Sequence, residues 1–430
     1  MDFWLDLFLL MIKTQALSFA NPFFWLIIII VFMQYRRNIA MEEKLFGRAV
    51  NNIWLQCINS VLLGLFGGIF GSIFLLVLGI SLESVGIVYL WPIAIALLFI
   101  HPRFLCFAYA GGLVAAAALI IRGLLPFLPG LGEIEILAGL QNIHLPSLLA
   151  LIGVLHLTES FLIYLSGHHG ASPIYYKRPS GEILGGYSMQ RFWPLPLTGL
   201  WALVVPEGSE MLTGGIAMPD WWPLLGTMMG SVGEENIVYL MIPLVAGLGY
   251  GDLALSSYPH HKRLKTAKNL ALYSIILSAA AIAAVYMPPL ILPAALLAPL
   301  GHEYIIKKGN RDELVRPPLF TPDDKNGLKI LAIIPSSPAE DLGFKSGDRL
   351  LKVNDIDLYS EHDFWNILQA GYPRAYFKVK RGNSYLNLGA QIYPMSPVQF
   401  GIIFTPGRMT NAYVEMEKGS FLKRFSKKMK

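Results

Sequence analysis

Charge is what this sequence has least of. Only 15% of its 430 residues are Asp, Glu, Lys or Arg, against about 25% in ordinary soluble domains. That deficit excludes intrinsic disorder and a string of water-soluble domains. Cysteine is nearly missing too. Cys57 and Cys106 are the only two, too few for a disulfide scaffold or a Cys-ligated cluster, and both read as inert thiols in or beside apolar runs. The start, Met1-Asp-Phe-Trp-Leu-Asp, lacks the basic stretch and cleavage site of a removable signal peptide. A dense basic face with interleaved aromatics is also missing, which argues against nucleic-acid binding. What remains is apolar sequence, 54% hydrophobic with a mean hydropathy of +0.51, the composition of a polytopic membrane protein.

A helix needs about 20 apolar residues to cross a bilayer. Residues 17–35, 55–80, 85–101, 104–121, 145–166, 236–256 and 268–287 meet that requirement. Residues 192–206, which carry Pro194 and Pro196, and 288–305, which follow Pro288-Pro289, make two further candidates. The bundle therefore has seven to nine helices. Cytoplasmic loops are enriched in Lys and Arg. With nine spans and the N-terminus outside, Arg36, Arg37, Arg103, Lys177, Arg178, Lys262, Arg263, Lys307 and Lys308 all fall inside. Acids such as Glu83, Glu133, Glu207, Glu210, Glu234 and Glu235 fall outside. The C-terminal part is then cytoplasmic.

Gly64, Gly68 and Ser72 recur every four residues, as do Gly67 and Gly71. Small residues at this spacing let backbones approach closely. Close packing inside one chain is the plainer reading, and a homo-oligomer face the sharper one. His156 and Glu159 share one helix face. Ionisable groups in lipid are often functional, but no second Glu/His pair at that spacing lies in another span. A structural hydrogen-bonded pair is therefore favoured over metal or proton chemistry. His168-His169 belongs to an interfacial loop, and 167–193, punctuated by Gly and Pro around Gly181-Glu182, reads as a small hairpin on the membrane surface.

After residue 316 the composition becomes that of a small α+β domain. The expected organisation is a membrane region over 1–306, a linker over 307–326, a compact domain over 327–392 and an extension with a basic tail over 393–430. Leu328-Lys-Ile-Leu-Ala-Ile-Ile reads as a strand and Ser337-Pro338 as the cap and first residue of a short helix ended by Gly343. Arg349-Leu-Leu-Lys-Val and Ile356-Asp-Leu follow as a hairpin. Ser360 caps a helix whose Phe364, Ile367 and Leu368 share a face. A final hairpin turns at Arg381-Gly-Asn383, and Phe400-Gly-Ile-Ile-Phe404 is one more strand. The tail Phe421–Lys430 mixes basic and apolar residues and suits anionic lipid or plain solvent.

The run from Ile334-Pro-Ser-Ser-Pro-Ala-Glu-Asp-Leu-Gly to Gly347-Asp-Arg-Leu-Leu-Lys-Val-Asn-Asp resembles a bacterial PDZ domain over about 328–390. Such a domain adds an extended peptide to a strand edge. The resemblance implies a groove between a strand bearing Leu328, Ile330, Ala332 and Ile334 and the helix bearing Phe364, Trp365 and Leu368. The usual Gly-Leu-Gly-Phe-type carboxylate loop is absent, with only Asn326-Gly327 before that strand, so an internal segment is expected as ligand instead of a free C-terminus.

Membrane spans joined to a PDZ domain also suggest proteases, and each class fails on a residue its chemistry needs. His302-Glu303 begins a zinc-protease motif, yet Ile306 stands where the second His belongs. Glu234-Glu235 is followed by Tyr239 where a prenyl-type membrane protease needs Arg, and Gly382-Asn383-Ser384 is followed by Tyr385 inside a PDZ hairpin. The expectation is no catalytic residue, no metal and no cofactor.

The whole layout resembles the MinJ family of cell-division topological determinants. Asn21-Pro-Phe-Phe-Trp-Leu with Tyr35-Arg-Arg, His156-Leu-Thr-Glu through Phe192-Trp-Pro-Leu-Pro, and the C-terminal PDZ domain carry the likeness. It implies a membrane adaptor at septum and poles, linking a DivIVA-like polar scaffold to a MinD-like ATPase. A pseudoenzyme relative of PDZ-containing intramembrane proteases and a transporter are the alternatives.

Overall fold

The computed structural model describes residues 3–205, 215–226, 236–321, 327–370, 372–391, 397–407, 410 and 412–415. The N-terminal region is a helical bundle: α1 Phe3–Leu17, α2 Pro22–Phe46, α3 Ile53–Leu78, α4 Ile87–Ile100, α5 Phe107–Leu124, α6 Glu135–Gln141 and α7 Leu145–Ser166. After the strands β1 Ser172–Lys177, β2 Ile183–Val205 and β3 Asn236–Ala254, it closes with α8 Pro259–Tyr286 and α9 Ile291–Val315. Seven helical segments among the described residues are long and apolar enough to cross a membrane. Their outer faces carry large apolar side chains such as Phe23, Trp54 and Phe66, each more than 60% exposed, as lipid contact requires.

Local sequence sets the ends. Asn21 caps α2 through Phe23 N, with Pro22 in the first turn, and Gly47 at φ 71° ends it. Asn52 caps α3 through Trp54 N and Leu55 N. The break at Asn21-Pro22 divides what was expected as one span over 17–35, and α1 precedes it. Both helices run the same way past β2 and β3. Thr198 Oγ1 donates to Met11 O, Ser18 Oγ to Leu244 O, and Tyr35 OH accepts from Phe192 N.

The expected helices over 192–206 and 236–256 are instead the strands β2 and β3. They pair antiparallel from Tyr187↔Ala254 to Val205↔Asn236. A hydropathy window counts apolar residues and is blind to whether backbone bonds close within a helix or between strands. Pro194 and Pro196 argue against a helix interior, and Gly247, Gly249 and Gly251 weaken one.

A strand edge among apolar helices must leave no donor unpaired, and β2 meets that condition from Phe192 to Thr198. Phe192 N donates to Tyr35 OH at 3.2 Å, and Thr198 N to Ser72 Oγ at 2.8 Å. Between them, at the same alternate positions, stand Pro194 and Pro196, which have no N–H to satisfy. Leu200 O accepts from Leu82 N.

The C-terminal unit comprises β4 Leu328–Ile333, α10 Pro338–Asp341, β5 Arg349–Val353, β6 Ile356–Asp357, α11 Glu361–Gln369, β7 Arg374–Arg381, β8 Ser384–Gln391, α12 Pro397–Phe400, β9 Ile402–Phe404 and β10 Val414–Glu415. Its sheet runs β8-β7-β5-β4-β9, with β6 paired to β5. Helix α9 continues to Val315, inside the stretch expected as linker. The basic tail Phe421–Lys430 and Glu234-Glu235 lie outside the described residues.

Two cores meet at the sheet. Ile330, Phe364, Leu368, Phe400 and Phe404 pack inside the C-terminal unit. Leu331, Ala332, Ile334 and Ile403, on the other side, join the core of the bundle. Tyr187 OH donates to Leu331 O, and Gly185 N to Phe320 O. The C-terminal unit is therefore packed on the β1–β2 end of the hairpin.

Candidate peptide groove

Local turn chemistry builds the frame. Ser337 caps α10 through Glu340 N. Ser360 and Asp363 form a reciprocal capping box at the start of α11. Burial raises the Asp363 carboxyl, but hydrogen bonds from the Ser360 side chain and from Tyr359 N and Ser360 N outweigh it, holding Asp363 below the usual carboxylate range. Arg381 clasps buried Asp348 with two bonds of 2.7 Å, which raises the guanidinium's affinity for its proton and locks β7 to the turn before β5.

The expected strand wall of the groove needs correction. Strand β4 is paired on both edges, through Leu328↔Leu350 and Lys329↔Arg349 to β5 and through Ile330↔Phe404, Ala332↔Ile403 and Ile333↔Ile402 to β9. It has no edge to offer a peptide. Leu328 and Ile330 pack on the core of the C-terminal unit, while Ala332 and Ile334 face the bundle.

Helix α11 packs beside β9. Phe364 lies with its ring 5.2 Å from that of Phe404, and Trp365 at 6.0 Å. Leu368 is buried beside them. β9 ends the sheet, and among the described residues no strand pairs with its second edge. Gly401 N-terminal to it has φ 87°, and a Cβ there would overlap the Ser337 side chain; both demand glycine. Gly401 O and Thr405 N bond to β4, so by alternation Ile402 and Phe404 turn their backbone groups outward. One is engaged: Phe404 O accepts from Tyr175 OH at 3.0 Å. The signal for β9 was present in the sequence as Phe400-Gly-Ile-Ile-Phe404, but its position beside α11 was not.

Gly64, Gly67, Gly68 and Gly71 of α3 face β2 and α7 of this same chain. A Cβ on Gly64 or Gly68 would overlap the carbonyls of Pro194 and Pro196, one on Gly67 would meet Leu162 Cδ1 at 2.8 Å, and one on Gly71 would meet Leu197 and Thr158 at 3.0 Å.

Three side chains set aside on sequence grounds come together in the bundle. Cys106 Sγ lies 3.1 Å from His156 Nε2 and 3.9 Å from His302 Nε2. Glu159 is not part of this convergence, and Glu303 turns to Arg103 at 2.9 Å and Tyr109 at 2.5 Å.

A family profile agrees with the architecture of the C-terminal unit. The PDZ domain family profile matches residues 329–381. The cell division topological determinant MinJ of Bacillus subtilis (strain 168) is 29% identical over 376 residues, 86% of this chain and 88% of that protein. Among solved structures, the PDZ domain of the SdrC-like protein from Listeria monocytogenes aligns with 14% identity over 19% of this chain and 88% of that one, at a TM-score of 0.17. The chain is thus MinJ-like over most of its length and carries a C-terminal PDZ domain.

Proposed function

We propose that this MinJ-like membrane protein is an adaptor in division-site selection, and that its PDZ groove runs between β9 and α11. The observation that carries the reading is the unpaired outer edge of β9 beside the aromatic wall of Phe364 and Trp365. A partner segment adds as a further strand there, with backbone bonds giving affinity and side-chain pockets giving selectivity. The similarity to MinJ supports a division role, and a DivIVA-like scaffold and a MinD-like ATPase are the partners proposed. The bundle confines the groove to the membrane plane, raising its effective concentration for its partners. The cationic loops support a cytoplasmic PDZ domain with the N-terminus outside, and enrichment at septum and poles follows from the partners.

The test is a photoreactive residue in place of Trp365, irradiated in dividing cells. Adducts with a scaffold or ATPase support the reading. A full set of adducts from a probe at Tyr385, on the far edge strand β8, with none from Trp365, overturns it.

A further inference from the structure

We propose that Cys106, His156 and His302 form a transition-metal site, with zinc as its occupant, that staples α5, α7 and α9 together. The three residues come from the N-cap of α5 and the interiors of α7 and α9. Their ligand atoms all lie within 4.8 Å of one another. Zinc bonds of about 2.3 Å to sulfur and 2.0–2.1 Å to imidazole nitrogen put sulfur and nitrogen roughly 3.5 Å apart in a tetrahedron. The observed 3.1 and 3.9 Å straddle that separation. Both imidazoles approach the sulfur with Nε2.

The surroundings favour ligation over plain packing. His156 Nδ1 lies 2.8 Å from Ile152 O, a carbonyl that only accepts. The proton therefore sits on Nδ1, and Nε2 presents a lone pair to the cluster, the usual outer-shell arrangement of a metal-bound histidine. His302 is 7% exposed, and its Nδ1 has no hydrogen-bond partner among the described residues. With Nε2 facing only a sulfur at 3.9 Å, the ring makes little return for its burial, and a buried polar group so poorly served points to an ion. Glu303 sits next to His302 in a polar cluster with Tyr109 and Arg103, which offers a cation a route in.

On binding, the thiol of Cys106 gives up its proton to solvent and the thiolate forms the Zn–S bond. Two neutral imidazoles complete three protein ligands, and tetrahedral zinc keeps one position for an exchangeable ligand. Glu303 faces away and is no general base, so the ion acts as a clamp.

The experiment uses the full-length chain, purified in detergent through a tag without histidine and supplied with zinc or cobalt. The expected result is about one zinc per chain. Cobalt should give a thiolate-to-cobalt charge-transfer band, lost in Cys106→Ser, and zinc content should drop at least tenfold in Cys106→Ser and His302→Gln. Thermal unfolding of the metal-free proteins shows whether those variants remain folded. His156→Gln serves as a further variant should either fail. Metal content near zero in the folded wild type overturns the proposal. So does a content unchanged in the folded variants, which would assign the ion to His168-His169 or His260-His261.

Discussion

Tyr175 donates its hydroxyl to the carbonyl of Phe404 at 3.0 Å, so a side chain from β1 occupies one hydrogen-bonding position on the open edge of β9. A partner strand must displace it. Tyr175→Phe frees that carbonyl, and a single bond of about 1 kcal/mol corresponds to roughly fivefold tighter capture. Partner titration should show the gain.

Trp365 lies beside the groove, its indole N–H bonded to Glu361 at 3.1 Å and its ring beside Phe404. Trp365→Ala should weaken partner binding by about 2 kcal/mol or more, as for a buried aromatic anchor. The unfolding transition of the PDZ domain should move far less. Equal loss in both measurements would make Trp365 a core residue only.

Two glycines of α3 and Gly123 of α5 form a graded series. Gly68→Ala drives a methyl into the Pro196 carbonyl, whereas Gly67→Ala meets only the tip of Leu162 and Gly123→Ala meets nothing within 4 Å. Overpacking costs about 1–3 kcal/mol. Thermal unfolding in detergent should rank Gly68→Ala well below Gly67→Ala, with Gly123→Ala unchanged.

Proline inside a strand usually weakens it, yet here its removal should do so. Pro196→Ala adds an N–H on the side of β2 packed against α3, where Thr198 needs Ser72 for its own. An unsatisfied buried donor costs about 1–3 kcal/mol. Ser72→Ala should cost a similar amount by orphaning Thr198 N, and protease resistance of the purified protein reads both.

Asp363 supplies a pH dependence. Its folded-state proton affinity lies below the ordinary carboxylate value, so its contribution is present above about pH 4 and is lost as pH falls through the depressed folded value. Asp363→Ala should cost about 1 kcal/mol at neutral pH and flatten the acid limb of the PDZ unfolding curve.

The PDZ element order was legible because its signals are local: Ser337 and Ser360 as caps, Gly343 and Gly382 at positive φ. The groove strand was not, because pairing is a long-range choice and β4 looks like an edge until β9 arrives some 70 residues later to cover it. The β2–β3 hairpin passed as two helices because apolar content is common to both structures and Pro194 and Pro196 distinguish them only weakly. The Cys106 cluster left no spacing motif at all, since its contacts join residues 50 and 196 positions apart. Only the tertiary fold brings them within reach.

Beyond β9 the chain returns to the bundle, where β10 lies parallel to β1 through Tyr176↔Val414 and Lys177↔Glu415. The groove strand is therefore leashed at its far end to the very hairpin that Tyr175 belongs to. A strand added to β9 thus joins a module that β1 already holds twice, by the Tyr175 side chain and by backbone pairing with β10.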